Sequence, residues 1–164
     1  MPMTVSNPRD LFLTELSDLL FVERQLAFEV LPELLKQTGD PELTHALAEH
    51  LEKTKRHAQD LEGVFRSVGS EPSSSHSFAF AGLQEQHSSR ASSIILPRLA
   101  DLFHATAAAH SEYYEIAAYQ TLIALARSIT DDQARAVLEA NLADEQHALG
   151  ALEEAIQRLA NTDG

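Results

Sequence analysis

Apolar residues recur every three or four positions through most of this sequence, and this spacing restricts the fold more than any other feature. It is the period of an amphipathic α-helix, in which positions i, i+3, i+4 and i+7 share one face. No run shows the apolar–polar alternation and β-branched composition of a strand. The sequence therefore predicts an all-α protein. The first helical segment carries the pattern at Phe12, Leu16, Leu19, Leu20, Leu26, Val30 and Leu34.

Proline, glycine and capping residues divide the first half of the pattern into two helices. Asn7 is a favourable N-cap and is followed by a proline at the first helical position. Gly39 is favourable at the position just after the helix C-terminus. Pro32 lies inside this first helix, where the ring predicts a kink. Asp40 begins the second helix by the same capping logic, and Gly69 ends it.

The second half repeats this plan after a long connection. Residues 70–77 have the composition of a loop, and a short helix is predicted over about 79–93. Pro97 restarts the apolar pattern, and the Thr-x-x-Gln sequence that begins at Thr130 predicts a capping box for the last helix. Two antiparallel pairs of long helices, joined by a crossover at 69–97, predict a four-helix bundle.

Length and composition limit the classes of function. The chain has 164 residues, 44% hydrophobic residues and no cysteine, which predicts one domain over 1–164 with its core at about 8–160. The absence of cysteine excludes a disulfide scaffold and a thiol nucleophile. A formal net charge of −13 argues against a nucleic-acid partner. No apolar run is long enough for a membrane span, and no signal peptide is visible, so we expect a cytoplasmic protein.

Four polar residues interrupt the apolar seams of the four helices. They are Glu23, Thr54, Glu112 and Glu145, and Glu115 follows one turn after Glu112. Residues of antiparallel neighbours lie level when they are equidistant from the connecting turn, which holds here for both helix pairs. The spacing therefore predicts three carboxylates at one height inside the bundle.

Histidines and a lysine lie beside this layer. His50, Lys53 and His57 line up beside Thr54 at spacings of three and four. Carboxylates buried together oppose folding unless something neutralises them. A two-metal centre would do so with Glu and His ligands, while protons, a buried Lys or Arg, or trapped water are the alternatives.

The stretch from Leu11 to Ala160 resembles the YciF/YciE-type ferritin-like stress proteins. The resemblance implies a ferritin-like bundle, a homodimer, a bacterial stress association and a two-metal site. Residue by residue, it implies that Glu23, His57, Glu112, Glu115 and Glu145 face the metals. The motifs that carry it are Glu15-Leu-Ser-Asp18, Glu23-Arg-Gln-Leu26, His50-Leu-Glu-Lys-Thr54, Glu112-Tyr-Tyr-Glu-Ile-Ala-Ala-Tyr119 and Leu142-Ala-Asp-Glu145.

Two functions follow from this combination. The first is a metal protein holding two Fe or Mn ions that react with oxygen or peroxide, because oxygen-rich ligands suit these metals. The second is a metal-free bundle that acts as a dimeric structural or interaction protein. The second arises because Lys53, Tyr113 and Leu149 replace the Glu, His and Asp usual in the family, and Lys53 would then neutralise the buried carboxylates.

Structural roles are expected for the other polar residues. His50 is expected to hydrogen-bond a neighbouring helix backbone, and Asp144 and His147 are expected to form a surface pair. Tyr113 and Tyr119 are expected to be core or interface aromatics, with a redox role beside a metal centre as the minority alternative.

Overall fold

A computed structural model describes residues 4–161, and these residues form helices joined by turns and one longer connection. No strand occurs among them, so the predicted all-α bundle with a short helix in its crossover is confirmed. The elements in chain order are α1 (Pro8–Gln25), a π-helical segment (Leu26–Val30), α2 (Leu31–Gln37), α3 (Pro41–Ser67), α4 (Phe78–Ala91), α5 (Pro97–Ser128) and α6 (Asp132–Ala160).

Side-chain caps begin the helices where the sequence predicts them, with one correction. Asn7 accepts a hydrogen bond from the amide of Asp10 at the start of α1. At α6 the N-cap is Asp131, which accepts from the amide of Ala134, and the predicted Thr130 is wrong by one residue. Thr130 has φ 61°. This left-handed conformation ends α5, whereas an N-cap needs an extended backbone.

The interruption predicted at Pro32 takes the form of a π-helical turn. The amide of Leu31 donates to the carbonyl of Leu26, five residues earlier, in the turn directly before the proline. Because Pro32 has no amide N–H and its ring crowds the carbonyl four residues before it, a regular α-helix is disfavoured at this point. The π-turn adds one residue to the helix and α2 then continues the same rod.

Two apolar clusters fill the bundle, one at each end. Both contain residues of the first helical rod, α3, α5 and α6, and a polar layer separates them. The first includes Phe12, Leu16, Leu20, Leu61, Phe65, Leu122 and Leu138. The second includes Leu26, Leu31, Leu43, Leu47, Ala105, Leu149 and Leu159.

The crossover is attached by polar contacts and one aromatic side chain. The amide of Ser73 donates to Ser17 Oγ, Ser75 donates to Asp18, and the hydroxyls of Ser77 and Tyr114 lie 2.8 Å apart. Phe80 of α4 is buried in the second cluster. Within the described residues, no helix has the length and apolar character needed to cross a bilayer.

Asp40 joins the ends of α3 and α6, so its replacement should destabilise the bundle. Its carboxylate accepts from the amide of Leu43 and from both terminal nitrogens of Arg158, at 2.5 and 2.9 Å. We expect Asp40→Ala to lower the free energy of unfolding by about 1–3 kcal/mol, through loss of the cap and the ion pair. Urea unfolding measures this, and Asp60→Ala, at an exposed mid-helix position, is the matched control.

The Asp40 contribution should also depend on pH. Arg158 holds the pKa of the Asp40 carboxyl at about 2, below the ordinary 3.8. A lowered carboxyl pKa stabilises the folded state above the unfolded pKa, and the effect is lost as the pH falls through the folded value. The difference between wild type and Asp40→Ala should therefore shrink below pH 4. An equal difference at pH 7 and pH 2.5 would contradict this assignment.

Candidate metal centre

The polar layer between the two clusters is completely enclosed. It unites all five carboxylate and histidine residues predicted from the sequence with one more, His50. Their side chains come from every long helix of the bundle, and none is more than 3% exposed. The members are Glu23, His50, His57, Glu112, Glu115 and Glu145.

One half of this layer contains four potential ligands. His50, Glu112, Glu115 and Glu145 each offer one donor atom, and these atoms lie within 4.8 Å of one another. His50 Nε2 lies 2.6 Å from Glu112 Oε1, and its Nδ1 lies 3.8 Å from Glu145 Oε2. The group therefore directs one imidazole and three carboxylates at one small volume.

The other half contains three potential ligands and shares Glu145 with the first. Donor atoms of Glu23, His57 and Glu145 also lie within 4.8 Å of one another. His57 Nδ1 lies 2.7 Å from Glu145 Oε1 and 3.5 Å from Glu23 Oε1. Glu145 thus stands between the two groups with one oxygen near each histidine.

Many donor atoms of this layer have no hydrogen-bond partner. A buried polar atom without a partner costs about 1–3 kcal/mol, and more when it is charged. Such a concentration in one place indicates that a partner outside the protein completes the site. The atoms are Oε2 of Glu23, Glu112 and Glu145, both carboxylate oxygens of Glu115, and Nδ1 of His50.

Burial and mutual repulsion determine the protonation of the carboxyl groups. Burial, together with the neighbouring charge of Glu145, raises the pKa values of Glu112 and Glu115 well above their ordinary value. Burial also raises the pKa of Glu23, against the opposing contact with His57. The layer therefore favours the protonated forms of Glu112 and Glu115 when no cation is bound.

Glu145 and the two histidines respond differently. Burial would raise the pKa of Glu145, but His57 and His50 outweigh it, so the net shift is downward. Burial would lower the pKa of His57, yet Glu145 and Glu23 raise it to about 11. Burial lowers the pKa of His50. The pair His57–Glu145 is therefore ionised, while His50 is neutral and free to act as a ligand.

Asp144 and Lys53 lie outside the layer, where two sequence-based interpretations are wrong. Asp144 Oδ2 lies 3.3 Å from His57 Nε2, instead of pairing with His147. Lys53 Nζ lies 3.6 Å from the other oxygen of Asp144 and 3.1 Å from Glu49. Lys53 therefore holds the outer carboxylate, and it does not neutralise the buried ones.

The tyrosines divide between core and surface. Tyr119 is buried as expected, and its hydroxyl donates to Glu23 Oε1 at 2.5 Å while it accepts from Asn141. Tyr113 is 54% exposed and donates to Glu153, so it does not lie in the core, and the interface alternative stays a prediction. Leu149, where the family usually has Asp, packs in the second apolar cluster.

His50 is the residue that sequence reasoning missed. It was expected to bond a helix backbone, whereas its ring faces Glu112 and Glu145. The available signal was its distance of seven residues from His57, which places both rings on one stripe of α3. Asp144 had no such signal, because its contact with His57 depends on how α3 and α6 pack.

The donor set fits two divalent ions. Four carboxylates carry four negative charges, which two divalent cations balance when both histidines are neutral. Carboxylate and imidazole donors together suit Fe and Mn. Asp144 on the far nitrogen of His57 is the outer carboxylate that commonly orients a metal-bound histidine.

The chain is similar in sequence and fold to known proteins over almost its whole length. A family profile described as "Domain of unknown function (DUF892)" matches residues 7–163. Protein YciF of Escherichia coli K12 is 29% identical over 145 residues, covering 88% of this chain and 87% of YciF. The crystal structure of this stress protein superposes with a TM-score of 0.91 at 27% identity, covering 97% of this chain and all of that one.

A second solved structure is similarly close. YcfI of Rhodopseudomonas palustris, for which a structural role has been suggested, has a TM-score of 0.89 and 31% identity. The match covers 93% of this chain and 97% of YcfI.

Proposed function

This chain belongs to the DUF892 family of YciF-like proteins, and from this premise and its buried Glu/His layer we propose that it is a stress-associated protein with a two-metal Fe or Mn centre. Glu23 and His57 would hold one ion, and His50, Glu112 and Glu115 the other. Glu145 would be shared between them. A centre of this kind supplies a redox-active or Lewis-acidic site for oxygen or peroxide when the metals are bound.

The observation that supports the proposal most is the set of orphaned donor atoms. Six buried oxygen and nitrogen atoms on five residues of this layer lack hydrogen-bond partners in the described part of the chain. Protons neutralise some of this charge but do not satisfy the remaining lone pairs. Two divalent ions would satisfy both requirements at once, and binding would release the protons held by Glu112, Glu115 and His57.

The surrounding residues would orient the ligands. The contact between His57 Nε2 and Asp144 leaves Nδ1 directed at Glu145 and Glu23. Tyr119 fixes one oxygen of Glu23 and leaves Oε2 without a partner. These contacts reduce the reorganisation that metal binding requires, because the ligand rotamers are already held.

Metal analysis of the full chain tests the proposal. Protein produced with both iron and manganese supplied should contain about two ions per chain, one for each donor group. Glu112→Ala should lose metal, whereas Glu154→Ala, an exposed position on α6, should keep it. Plasma mass spectrometry gives the count. A folded wild type with no bound metal, or a Glu112→Ala variant with full metal content, would overturn the ligand assignment.

A metal-free structural role as a homodimer is the second candidate. It is supported by the suggested structural role of YcfI and by exposed apolar side chains at the two ends of the crossover helix α4. Phe78 is 83% exposed, Ile95 88% and Leu96 58%. A second copy of this chain would cover such side chains. This candidate predicts a metal-free dimer in sedimentation analysis that dissociates on Ile95→Ser, with Ser93→Ala as the exposed control.

A further inference from the structure

A cavity of about 780 Å³ lies between two parts of the bundle. The π-helical segment and α2 form one wall, and α4 and α5 form the other. Leu26, Val30 and Leu31 line it from the first side, at the turn that carries one residue more than a regular helix. The volume falls in the range of about 300–1,000 Å³ that is typical of small-molecule sites.

The deep part of this cavity is largely apolar, and its buried His104 and Ser111 are already paired: His104 Nδ1 lies 3.0 Å from His87 Nε2, and Ser111 donates to the carbonyl of Ala107. Leu26, Leu31, Phe80 and Ala108 are buried side chains of its wall. Glu112 lines it as well, although only 1% of that residue is exposed. The carboxylate atom Glu112 Oε2 has no hydrogen-bond partner. The cavity therefore offers a largely apolar enclosure with one unpartnered buried polar atom that a ligand can contact.

The mouth of the cavity is acidic. Glu29, Glu33 and Glu85 line it with exposed side chains. Lys36 pairs with Glu33 at 3.3 Å, which offsets one of the three charges. None of the described lining residues is Lys or Arg. With Lys36 counted, the mouth keeps a net negative charge, which attracts cations and repels anions.

We infer that this cavity binds a small neutral or cationic molecule with an apolar body, whose polar end lies at Glu112. The apolar wall receives the body, and the unpartnered carboxylate atom receives a donor such as an amine or hydroxyl. Binding itself does not require the metal centre. Any reaction of the ligand there rests on the proposed function, because Glu112 belongs to both the cavity and the ligand set.

Fluorescent probes of one shape and different charge test the inference. The chain contains no tryptophan, so probe emission is not obscured by indole. At pH 8, 1-aminoanthracene should bind the full metal-free chain saturably, at one probe per chain and a Kd on the order of 10 μM. The anion 1-anthracenecarboxylate should bind at least about tenfold more weakly. Equal binding of the two probes, or no saturable binding to folded protein, would overturn the inference.

Two alanines of α5 provide matched variants. Ala107 lines the cavity, whereas Ala117 is exposed elsewhere on the same helix. Ala107→Phe should weaken 1-aminoanthracene binding at least about tenfold by filling the cavity, and Ala117→Phe should leave it unchanged. Ala81→Phe, on the α4 wall, gives a second filling variant if Ala107→Phe does not fold. Undiminished binding to a folded filling variant would show that the probe binds elsewhere.

The metal content of these variants separates the two proposals. Neither Ala107→Phe nor Ala81→Phe removes a candidate ligand, so both should retain the metal content of the wild type. Probe binding by a protein that takes up no metal when iron and manganese are supplied supports the cavity assignment and contradicts the two-metal proposal alone. Full metal content without saturable probe binding contradicts the cavity assignment alone.

Discussion

Glu145→Gln should remove both metal ions, the largest effect expected of any single substitution in the bundle. Glu145 is the only residue common to the two donor groups found within residues 4–161. An amide keeps the shape of the side chain but removes the negative charge and half of the acceptor capacity. We expect metal content to fall below about one tenth of the wild-type value, since each group loses its shared carboxylate.

Variants of the unshared ligands distinguish a shared carboxylate from a general loss of structure. Glu23→Gln and Glu115→Gln should each weaken one group and retain about one ion in the other. Glu154→Gln, exposed on the same helix as Glu145, should behave as wild type. Circular dichroism checks that each variant is helical before metal is counted. If Glu145→Gln retains about as much metal as Glu23→Gln, the two groups do not depend on one shared residue.

The height of the polar layer was predictable because helical geometry is regular. Glu23 lies at the same height along the bundle as Thr54, and Glu112 at the same height as Glu145, because the two residues of each pair are equally far in sequence from their connecting turn. The structure places these residues between the two apolar clusters. The height of the layer and the burial of its carboxylates could therefore be predicted from the sequence, because neither depends on the details of interhelical packing.

The direction in which individual side chains point was harder to predict from the sequence. Lys53 and His57 are four residues apart on α3, yet Lys53 turns outward to Glu49 while His57 points to Glu145. This divergence depends on how α6 places Asp144 beside both residues. Periodicity predicts only which face of a helix is buried, and a residue at the edge of that face can point either to the core or to solvent. The cavity was inaccessible for the same reason, because it arises between α4 and the π-helical segment.

Glu115→Leu should stabilise the metal-free protein and destabilise the metal-bound one relative to wild type. Glu115 is fully buried with no partner for either oxygen, and its pKa is raised well above 4.5, first by burial and then by Glu145. Replacing such a group with a packed apolar side chain removes its desolvation cost; replacement of buried ion pairs in this way stabilises proteins by up to about 1–4 kcal/mol. With manganese present the order should reverse, because the leucine cannot coordinate a metal and the wild type gains binding energy.

The pH dependence of this gain follows from the direction of the Glu115 shift. With a folded pKa above the unfolded value of about 4.5, the native state binds more protons than the unfolded chain. Its contribution to stability therefore falls as pH rises from the unfolded pKa towards the folded one. Thermal unfolding of the metal-free protein should show a larger gain from Glu115→Leu at pH 8 than at pH 5. Glu115→Gln, uncharged but still without partners, should reduce the pH dependence with a smaller gain, because its amide remains unsatisfied. A Glu115→Leu variant less stable than wild type without metal at both pH values would mean that packing around Glu115, and not its charge, controls stability here.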